Sequence, residues 1–149
     1  MKSARPEVFK FGGVAVGNAE AIRIAIAHVR RAAPNVAVVV SAMDGLTDLL
    51  LEAGQAALQR DNSLCEEIAA EFESRHIALV DGLIASKRRA EELREVIGES
   101  ARELRAMMES IAVFEELTPR AQDALVALGE RAVARVFASA AEEVGIAAV

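Results

Sequence analysis

Residues 8–13 read Val-Phe-Lys-Phe-Gly-Gly, and this stretch decides the fold that the sequence predicts. Apolar and polar side chains alternate before two glycines, which is typical of a short β-strand that enters a turn. In a parallel sheet, Lys10 would lie near the carboxyl end of this strand, at the crevice where such sheets bind ligands. Gly12 and Gly13 would let the backbone approach a phosphate closely, although the spacing matches neither a Walker A motif nor a dinucleotide-binding fingerprint. An ordinary strand-to-helix turn with a surface lysine is the simpler interpretation of this stretch alone.

The segments that follow alternate between helix and strand. Asn18 fits the N-cap of a helix that runs to about Arg31 and is closed by Pro34. Residues 36–40 form a continuous apolar run, which predicts a strand covered on both faces. The polar loop 41–47 then leads into a second helix. Strand, helix, strand and helix with short connections predict an α/β fold with a parallel sheet.

The middle of the chain predicts helices only. Residues 64–113 contain no strand-like run and no proline, and their apolar side chains recur at helical spacing. A break near residues 85–87 predicts a helical hairpin, which would be an insertion over about residues 61–114. Residues 87–89 are basic, but acidic residues follow at once, so a solvated face is favoured over nucleic-acid binding.

The last part of the sequence predicts the longest helix. Thr118 fits its N-cap and Pro119 its first helical position, and Gly145 would end it after about Val144. Residues 146–149 then begin another strand-like run. Because the sequence stops there, we expect a fragment or the product of a truncated gene, with one uncovered sheet edge.

Composition excludes several classes of function. The 149 residues are 53% hydrophobic and 27% charged, as in a soluble globular protein. A formal net charge of −6 and the lack of Trp and Tyr disfavour a base-stacking nucleic-acid surface. No apolar run reaches the roughly 18 residues of a membrane span, and the amino terminus lacks the apolar region of a secretory signal.

Cysteine and histidine usage points away from disulfides and metals. Cys65 is the single cysteine, so no internal disulfide can form, and we expect a cytoplasmic location. His28 has no carboxylate or histidine partner at ligand spacing, and His76 has only one carboxylate there, Glu73. A metal site built from protein side chains is therefore not predicted.

Two further segments are candidates for chemistry. Residues 41–48, Ser-Ala-Met-Asp-Gly-Leu-Thr-Asp, leave a strand end and enter a helix, so they face the same crevice as Lys10. Taken alone, this segment favours Asp44 or Thr47 as a simple helix cap. Glu130 has apolar helical neighbours and no basic residue at the distance of an intrahelical pair. Since a carboxylate in an apolar stripe needs a polar partner, a ligand ammonium group and a basic residue from elsewhere in the fold both stay open.

Taken together, the three segments resemble the aspartate kinase family of the amino-acid kinase superfamily. The resemblance rests on Lys10-Phe11-Gly12-Gly13 with Val16 and Gly17, on Val38-Val39-Val40-Ser41-Ala42-Met43 with Gly45, Thr47 and Asp48, and on Gly129-Glu130-Arg131. The matching motifs lie at both ends of the chain and in the order that the family has, whereas the middle of the chain is similar only in being helical. It implies an α/β three-layer sandwich with a mainly parallel sheet, carbamate kinase-like, present here as an incomplete amino-terminal part over residues 1–149.

The resemblance also implies a reaction and its ligands. The family transfers the γ-phosphate of ATP to the side-chain carboxylate of L-aspartate, with Mg²⁺ held mainly by the nucleotide. The product, 4-phospho-L-aspartate, leads to lysine, methionine, threonine and isoleucine. We expect activity to need sequence beyond residue 149. As partners we expect L-aspartate and either a second copy of the chain, in a homo-oligomer, or a carboxyl-terminal kinase and ACT portion.

The same resemblance implies roles for individual residues. Lys10 would be catalytic and would stabilise the transferring phosphoryl group. The nucleotide-phosphate site would consist of Lys10, Phe11, Gly12, Gly13 and Ser41. Thr47 and Glu130 would bind aspartate, Glu130 through the amino group of the substrate.

Three positions depart from the family pattern and keep other hypotheses open. Val14 and Ala15 stand where the family usually has Thr-Ser, and Ala127 stands where a serine commonly precedes the Gly-Glu pair. Each lost hydrogen bond to a charged group costs roughly 1.5–3 kcal/mol. The alternative is therefore a degenerate, non-catalytic kinase lobe that binds a ligand or another chain. A superfamily kinase for acetylglutamate or a nucleotide is a third hypothesis, but residues 41–48 together with 129–131 favour aspartate.

Overall fold

The computed structural model describes residues 5–148 as a two-stranded sheet with helices packed against one of its faces. In chain order the elements are β1 Glu7–Phe11, a 3-10 helix Gly13–Val16, α1 Ala19–Ala32, β2 Val36–Val40, α2 Leu46–Leu58, α3 Asn62–Leu83, α4 Lys87–Phe114 and α5 Pro119–Glu143. The predicted order of strand, helix, strand and helix is confirmed. The helical hairpin appears as α3 and α4, and residues 84–86 separate them.

The sheet is parallel, as predicted. β1 pairs with β2 in a register that matches Glu7 with Val36 and Phe11 with Val40. The amide of Ser41 extends the pairing by donating a hydrogen bond to the Phe11 carbonyl at 3.0 Å. Both strands therefore end at the same edge of the sheet, where their loops lie side by side. The parallel α/β arrangement agrees with the expected fold class, and the three-layer sandwich stays a prediction.

The prediction that β2 is covered on both faces was wrong. Its burial alternates, and Val39 keeps 51% of its surface exposed. The half-buried side chains Val36, Val38 and Val40 pack against the core. In residues 5–148 the helices cover only this face, and the opposite face of the strand is open.

Side-chain caps set the starts of most helices, because the first turn of a helix leaves backbone N–H groups without partners. Asn18 Oδ1 accepts from the Ala21 amide at 2.9 Å, and Thr118 Oγ1 accepts from the Ala121 amide at 3.0 Å, which confirms both predicted caps. Gly145 follows α5 with a φ of +82°, a conformation that glycine adopts without strain. The strand predicted from residue 146 is absent from residues 146–148, which have no neighbouring strand to pair with.

The core lies where the hairpin packs against α2 and α5. Its largest fully buried apolar side chains come from these helices and from α1: Ile22, Leu46, Leu50, Ile68, Phe72, Ile97, Leu104, Leu125 and Leu128. Each contributes about 1.5–3 kcal/mol by leaving water. Among residues 5–148, His76 is the single buried side chain that is polar or charged. Every helix in this range falls short of the length and hydrophobicity that a bilayer crossing requires.

Candidate functional site

The two loops at the carboxyl ends of the strands are packed backbone against backbone. A Cβ atom at Gly13 would lie 3.0 Å from the carbonyl oxygen of Ala42 and 3.1 Å from the amide nitrogen of Asp44. These distances are too short for a side chain to fit without displacing the second loop. Gly13 therefore permits the close approach of the glycine turn to the loop that follows β2.

Lys10 lies over this glycine turn. Its Nζ is 3.6 Å from the position that a Cβ atom of Gly12 would occupy, and the side chain is exposed. Phe11 points the other way, and its ring stacks on Phe137 of α5 with a centroid distance of 5.7 Å. Alternation along β1 thus places the ammonium group of Lys10 beside the turn while Phe11 anchors the strand to the core.

The expectation of a simple helix cap in the second loop was wrong. α2 begins at Leu46 with Gly45 as N-cap, in a left-handed conformation with a φ of +72° and no side-chain capping bond. Because a glycine makes this turn, Asp44 and Thr47 are not needed as caps. Thr47 lies in the first turn of α2, and its side chain is exposed.

The third segment, residues 129–131 of α5, packs against the loop after β2 through Gly129. A Cβ atom at Gly129 would lie 2.9 Å from Leu46 Cδ2, 3.1 Å from Ala42 Cβ and 3.2 Å from Leu50 Cδ1. The missing side chain lets α5 pack tightly against α2 and the second loop. Glu130, the next residue, is therefore held beside the start of α2.

The predicted burial of Glu130 was wrong, because its side chain is exposed. The apolar residues at helical spacing from it differ in burial: Val133 lies in the core, Val126 and Ala127 are half-buried, and Ala134 is exposed. Among residues 5–148 the Glu130 carboxylate has no hydrogen bond or ion pair, so of the two partners left open, a basic residue from elsewhere in the fold is not found there. The neighbouring Arg131 pairs instead with Glu103 of α4 at 2.7 Å.

Ala42 is the point where the three segments meet. Its carbonyl faces Gly13, and its Cβ faces Gly129. Around this junction the side chains of Lys10, Thr47 and Glu130 are all exposed, and within residues 5–148 no hydrogen bond or ion pair joins one to another. The structure thus brings the backbones of the segments together, and the ligand roles of the side chains stay predictions.

Two contacts from the hairpin were missed by the sequence reasoning, which assigned no chemistry to α3. Arg75 donates a hydrogen bond to the carbonyl of Asp44 at 2.5 Å, and the fully buried His76 places its Nδ1 2.6 Å from the carbonyl oxygen of Phe72. The burial of His76 could have been predicted, because it shares an apolar helical stripe with Phe72 and Leu79. Nothing in the sequence indicated the partner of Arg75.

No metal centre is evident at the junction. Within residues 5–148, His, Cys, Asp and Glu side chains do not gather in any group of three or more that could hold an ion. The arrangement is suited instead to an anion beside Lys10 and the glycine turn, and to a cation beside Glu130.

The chain is similar in sequence to known proteins. A sequence model of the amino acid kinase family matches residues 6–149. The chain is 28% identical over 146 residues to an aspartokinase of Schizosaccharomyces pombe, which covers 93% of this chain and 28% of the relative. It is 32% identical over 144 residues to chloroplastic aspartokinase 1 of Arabidopsis thaliana, which covers 95% of this chain and 24% of the relative.

A solved structure is similar in fold as well. The crystal structure of Escherichia coli aspartokinase III in complex with aspartate and ADP superposes with a TM-score of 0.80 at 25% identity. The match covers 93% of this chain and 29% of that protein. The chain thus spans less than a third of the length of each of these relatives.

Proposed function

Because the chain belongs to the amino acid kinase family, we propose that it is the amino-terminal portion of an aspartate kinase, which transfers the γ-phosphate of ATP to the side-chain carboxylate of L-aspartate. The observation that carries this proposal is the convergence of three segments on Ala42. At that junction the glycine turn beside Lys10 packs against the loop that leads to Thr47, and Gly129, which precedes Glu130, packs against the same loop. Lys10 and the glycine turn complement a phosphate, and the Thr47 hydroxyl and the Glu130 carboxylate complement an amino acid.

In this reaction a carboxylate oxygen of aspartate attacks the γ-phosphorus and forms a new P–O bond. The bond to the bridging oxygen breaks, and ADP leaves with its electron pair. Lys10 stabilises the negative charge on the transferring group, and the amides of Gly12 and Gly13 with Ser41 bind the phosphates. Such a reaction depends on positioning and charge neutralisation rather than on covalent chemistry by the protein.

Glu130 and Thr47 bind the amino acid in this proposal. An exposed carboxylate without a protein partner can accept the ammonium group of aspartate without first breaking an ion pair. Thr47 has no capping role, so its hydroxyl is free to donate to a carboxylate. Mg²⁺ accompanies ATP in such reactions, but residues 5–148 offer no cluster that would hold the ion, so it is assigned to the phosphate oxygens of the nucleotide.

A second candidate function is a ligand-binding or subunit-interaction lobe without catalysis. Val14 stands in the glycine turn with 76% of its surface exposed, where the related enzymes usually have a hydroxyl residue. An exposed valine cannot donate a hydrogen bond to a phosphate. This position therefore favours weaker nucleotide binding while leaving the aspartate side of the site intact.

A coupled assay of ATP turnover with L-aspartate separates the two candidates. We expect turnover when the chain carries the remaining carboxyl-terminal part of an aspartokinase, and none when residues 1–149 are alone. Turnover in neither form, together with a higher melting temperature in L-aspartate, would support the non-catalytic lobe. The absence of both effects would overturn both candidates.

Replacing Glu130 by Gln tests the amino-acid site directly. We expect E130Q to abolish the thermal stabilisation by L-aspartate, because the amide cannot neutralise the substrate ammonium group. D123N, which removes one exposed carboxylate from the same helix, is the matched control and should keep the stabilisation. An unchanged melting shift in E130Q would remove Glu130 from the site.

A further inference from the structure

One face of α3 lies against both loops of the candidate site. Arg75 and Gly82 are seven positions apart on this helix, and seven residues of an α-helix make almost two full turns over about 10 Å. The two residues therefore lie on the same side of α3. A small cavity separates that side from the loops, and its lining includes Gly17, Asn18, Met43 and Arg75. The helix thus faces the end of the glycine turn and the loop after β2 at once.

At one end of this face, Arg75 holds the loop after β2. Its Nη2 donates a hydrogen bond to the carbonyl of Asp44 at 2.5 Å, and a charged donor makes a stronger bond than a neutral one. Asp44 also faces the glycine turn, because its amide nitrogen and Cα lie 3.1 and 3.2 Å from the position of a Cβ atom at Gly13. Asp44 is therefore fixed between the glycine turn and α3, directly before the left-handed Gly45 at the start of α2.

At the other end of the face, Gly82 holds the start of α1. A Cβ atom at Gly82 would lie 2.7 Å from the Cβ atom of Ala19, closer than two such atoms approach in proteins. The Gly82 carbonyl also accepts a hydrogen bond from the Arg23 guanidinium, one turn further along α1. Ala19 follows Asn18, the N-cap of α1, which comes directly after the glycine turn and its 3-10 helix. The position of α3 thus determines where the chain can enter α1.

These contacts form a closed ring. The glycine turn packs on the loop after β2, that loop is bonded to α3, and α3 packs on the start of α1, which follows the glycine turn in the chain. A member of such a ring cannot move without displacing its neighbours. Lys10 lies beside the glycine turn, and the loop after β2 leads to Thr47. The distance between these two parts of the site therefore depends on α3 as well as on Gly13.

We propose that α3 fixes the spacing between the phosphate part of the site, at the glycine turn, and the amino-acid part, at the start of α2, with Arg75 and Gly82 as positioning residues. The assignment of these two parts rests on the proposed function, whereas the contacts of α3 with both loops do not. Phosphoryl transfer requires the attacking oxygen and the phosphorus to be aligned at about 3–3.5 Å, so a small change in spacing slows the reaction more than it weakens binding. Both residues act through the backbone of a neighbouring segment and not on a ligand.

Hydrogen exchange on the 149-residue chain tests the Arg75 contact without any ligand. The Leu46 amide donates to the Met43 carbonyl at 3.0 Å and so closes the turn that contains Asp44. We expect R75Q to raise the exchange rate of this amide about tenfold, because the turn loses its charged donor. The amide of Leu104, in the core of α4, should change by less than about twofold, which distinguishes local opening of the loop from global unfolding.

Two further variants decide what this change means. R75K keeps the positive charge and a donor, so the Leu46 amide should exchange within about threefold of the wild-type rate. R102Q removes an exposed arginine of α4 that has no hydrogen bond or ion pair within residues 5–148, and it should leave this amide unchanged. Wild-type exchange at Leu46 in R75Q, or an equal acceleration in R102Q, would overturn the role of Arg75.

An exchange of side chains between α1 and α3 tests Gly82. G82A places a second methyl group against Ala19, so we expect the amide of Ile22, which donates to the Asn18 carbonyl at 3.1 Å, to exchange about tenfold faster. The double variant A19G/G82A keeps one methyl group at this contact and should restore most of the protection. Restored folding in the double variant supports the contact even where G82A alone does not fold. An unchanged Ile22 amide in G82A, or no recovery in the double variant, would overturn the role of Gly82.

Steady-state kinetics of the chain joined to the carboxyl-terminal part of an aspartokinase test the consequence for the reaction. We expect R75Q to lower kcat about tenfold per folded molecule, while KM for ATP and for L-aspartate changes by less than about threefold and R75K stays close to the wild type. An unchanged kcat in R75Q, or a loss in R75K equal to that in R75Q, would overturn the positioning role. No turnover by the wild type, with the exchange results as expected, would overturn the proposed reaction while supporting the contacts of α3 with both loops.

Discussion

The junction at Ala42 and the helical hairpin are held together by different means. At the junction, missing side chains at Gly13 and Gly129 allow tight packing, and the charged side chains nearby are exposed. In the hairpin, charged residues pair with one another: Arg105 binds Glu66 at 2.6 Å, and Arg94 binds Asp81 at 2.5 Å. Within residues 5–148, Lys10 and Glu130 form no such pair.

This difference separates paired charges in the hairpin from unpaired charges at the junction. Charges that are already paired have little to gain from a ligand, whereas an unpaired charge beside a rigid backbone can bind one without a competing partner. Rigidity at the junction comes from backbone contacts, so it leaves the side chains free. The hairpin also contacts the junction directly, because Arg75 donates a hydrogen bond to the carbonyl of Asp44.

The largest expected effect comes from filling the space at Gly129. A methyl group there would lie 2.9–3.2 Å from Leu46, Ala42 and Leu50, all of which are buried. We expect G129A to lower the free energy of unfolding by about 1–3 kcal/mol, because a packed core resists added volume. Chemical denaturation of the purified chain measures this change.

Gly98 provides the control for this substitution. It lies within α4, and a Cβ atom there would meet only Arg102 Nη1 at 3.7 Å and Glu73 Oε1 at 3.8 Å. G98A should therefore raise the free energy of unfolding by about 0.5–1 kcal/mol, since alanine favours a helix over glycine. If G129A were as stabilising as G98A, the tight contact between α5 and α2 would be wrong.

A smaller loss is expected at Gly13, where the crowding is slightly less close, at 3.0–3.2 Å, and involves one loop rather than the packed core. G13A should lower the free energy of unfolding by about 1–2 kcal/mol as the two loops separate. G12A is the matched variant, because the nearest atom is the mobile Lys10 Nζ at 3.6 Å, and we expect a change within about 0.5 kcal/mol. A greater loss in G12A than in G13A would show that the loops do not meet as described.

Local features could be predicted from the sequence, and features that depend on distant neighbours could not. Asn18, Thr118 and the bounds of β2 follow from short-range rules, because a cap or a β-branched run needs only its own segment. The exposure of Glu130 and of Val39 depends on which elements cover α5 and β2. A pattern of apolar residues indicates a buried face only where another element packs on it.

The site was predictable to a similar extent. The glycine turn, the loop after β2 and the position of Glu130 were identified from their residues, and the structure brings their backbones to Ala42. The contact of Arg75 with the Asp44 carbonyl joins residues 31 positions apart, so no local pattern could pair them. It arises only when the hairpin docks beside α2.

The smallest expected effect concerns the ion pairs of the hairpin. The pKa of Glu66 is lowered from its ordinary value of 4.5, first by the hydrogen bond from Arg105 and then by the charge of Arg105, against an opposing effect of desolvation. Because the folded-state pKa is the lower one, the pair stabilises the fold above pH 4.5, and this contribution is lost as the pH falls through the folded-state value. E66Q should therefore melt slightly below the wild type near neutral pH, and the two curves should converge in acid.

E71Q is the control for this measurement, because Glu71 is exposed on the same helix and forms no ion pair within residues 5–148. Both partners of the Arg105–Glu66 pair contact solvent, so 1 M salt should reduce the difference between E66Q and the wild type. A melting shift in E66Q that matches E71Q, or that survives high salt, would mean that the paired charges of the hairpin add nothing specific. The hairpin and the junction would then differ only in how their charges are arranged and not in stability. The evidence for a ligand beside Glu130 would come only from the melting shift of E130Q in L-aspartate.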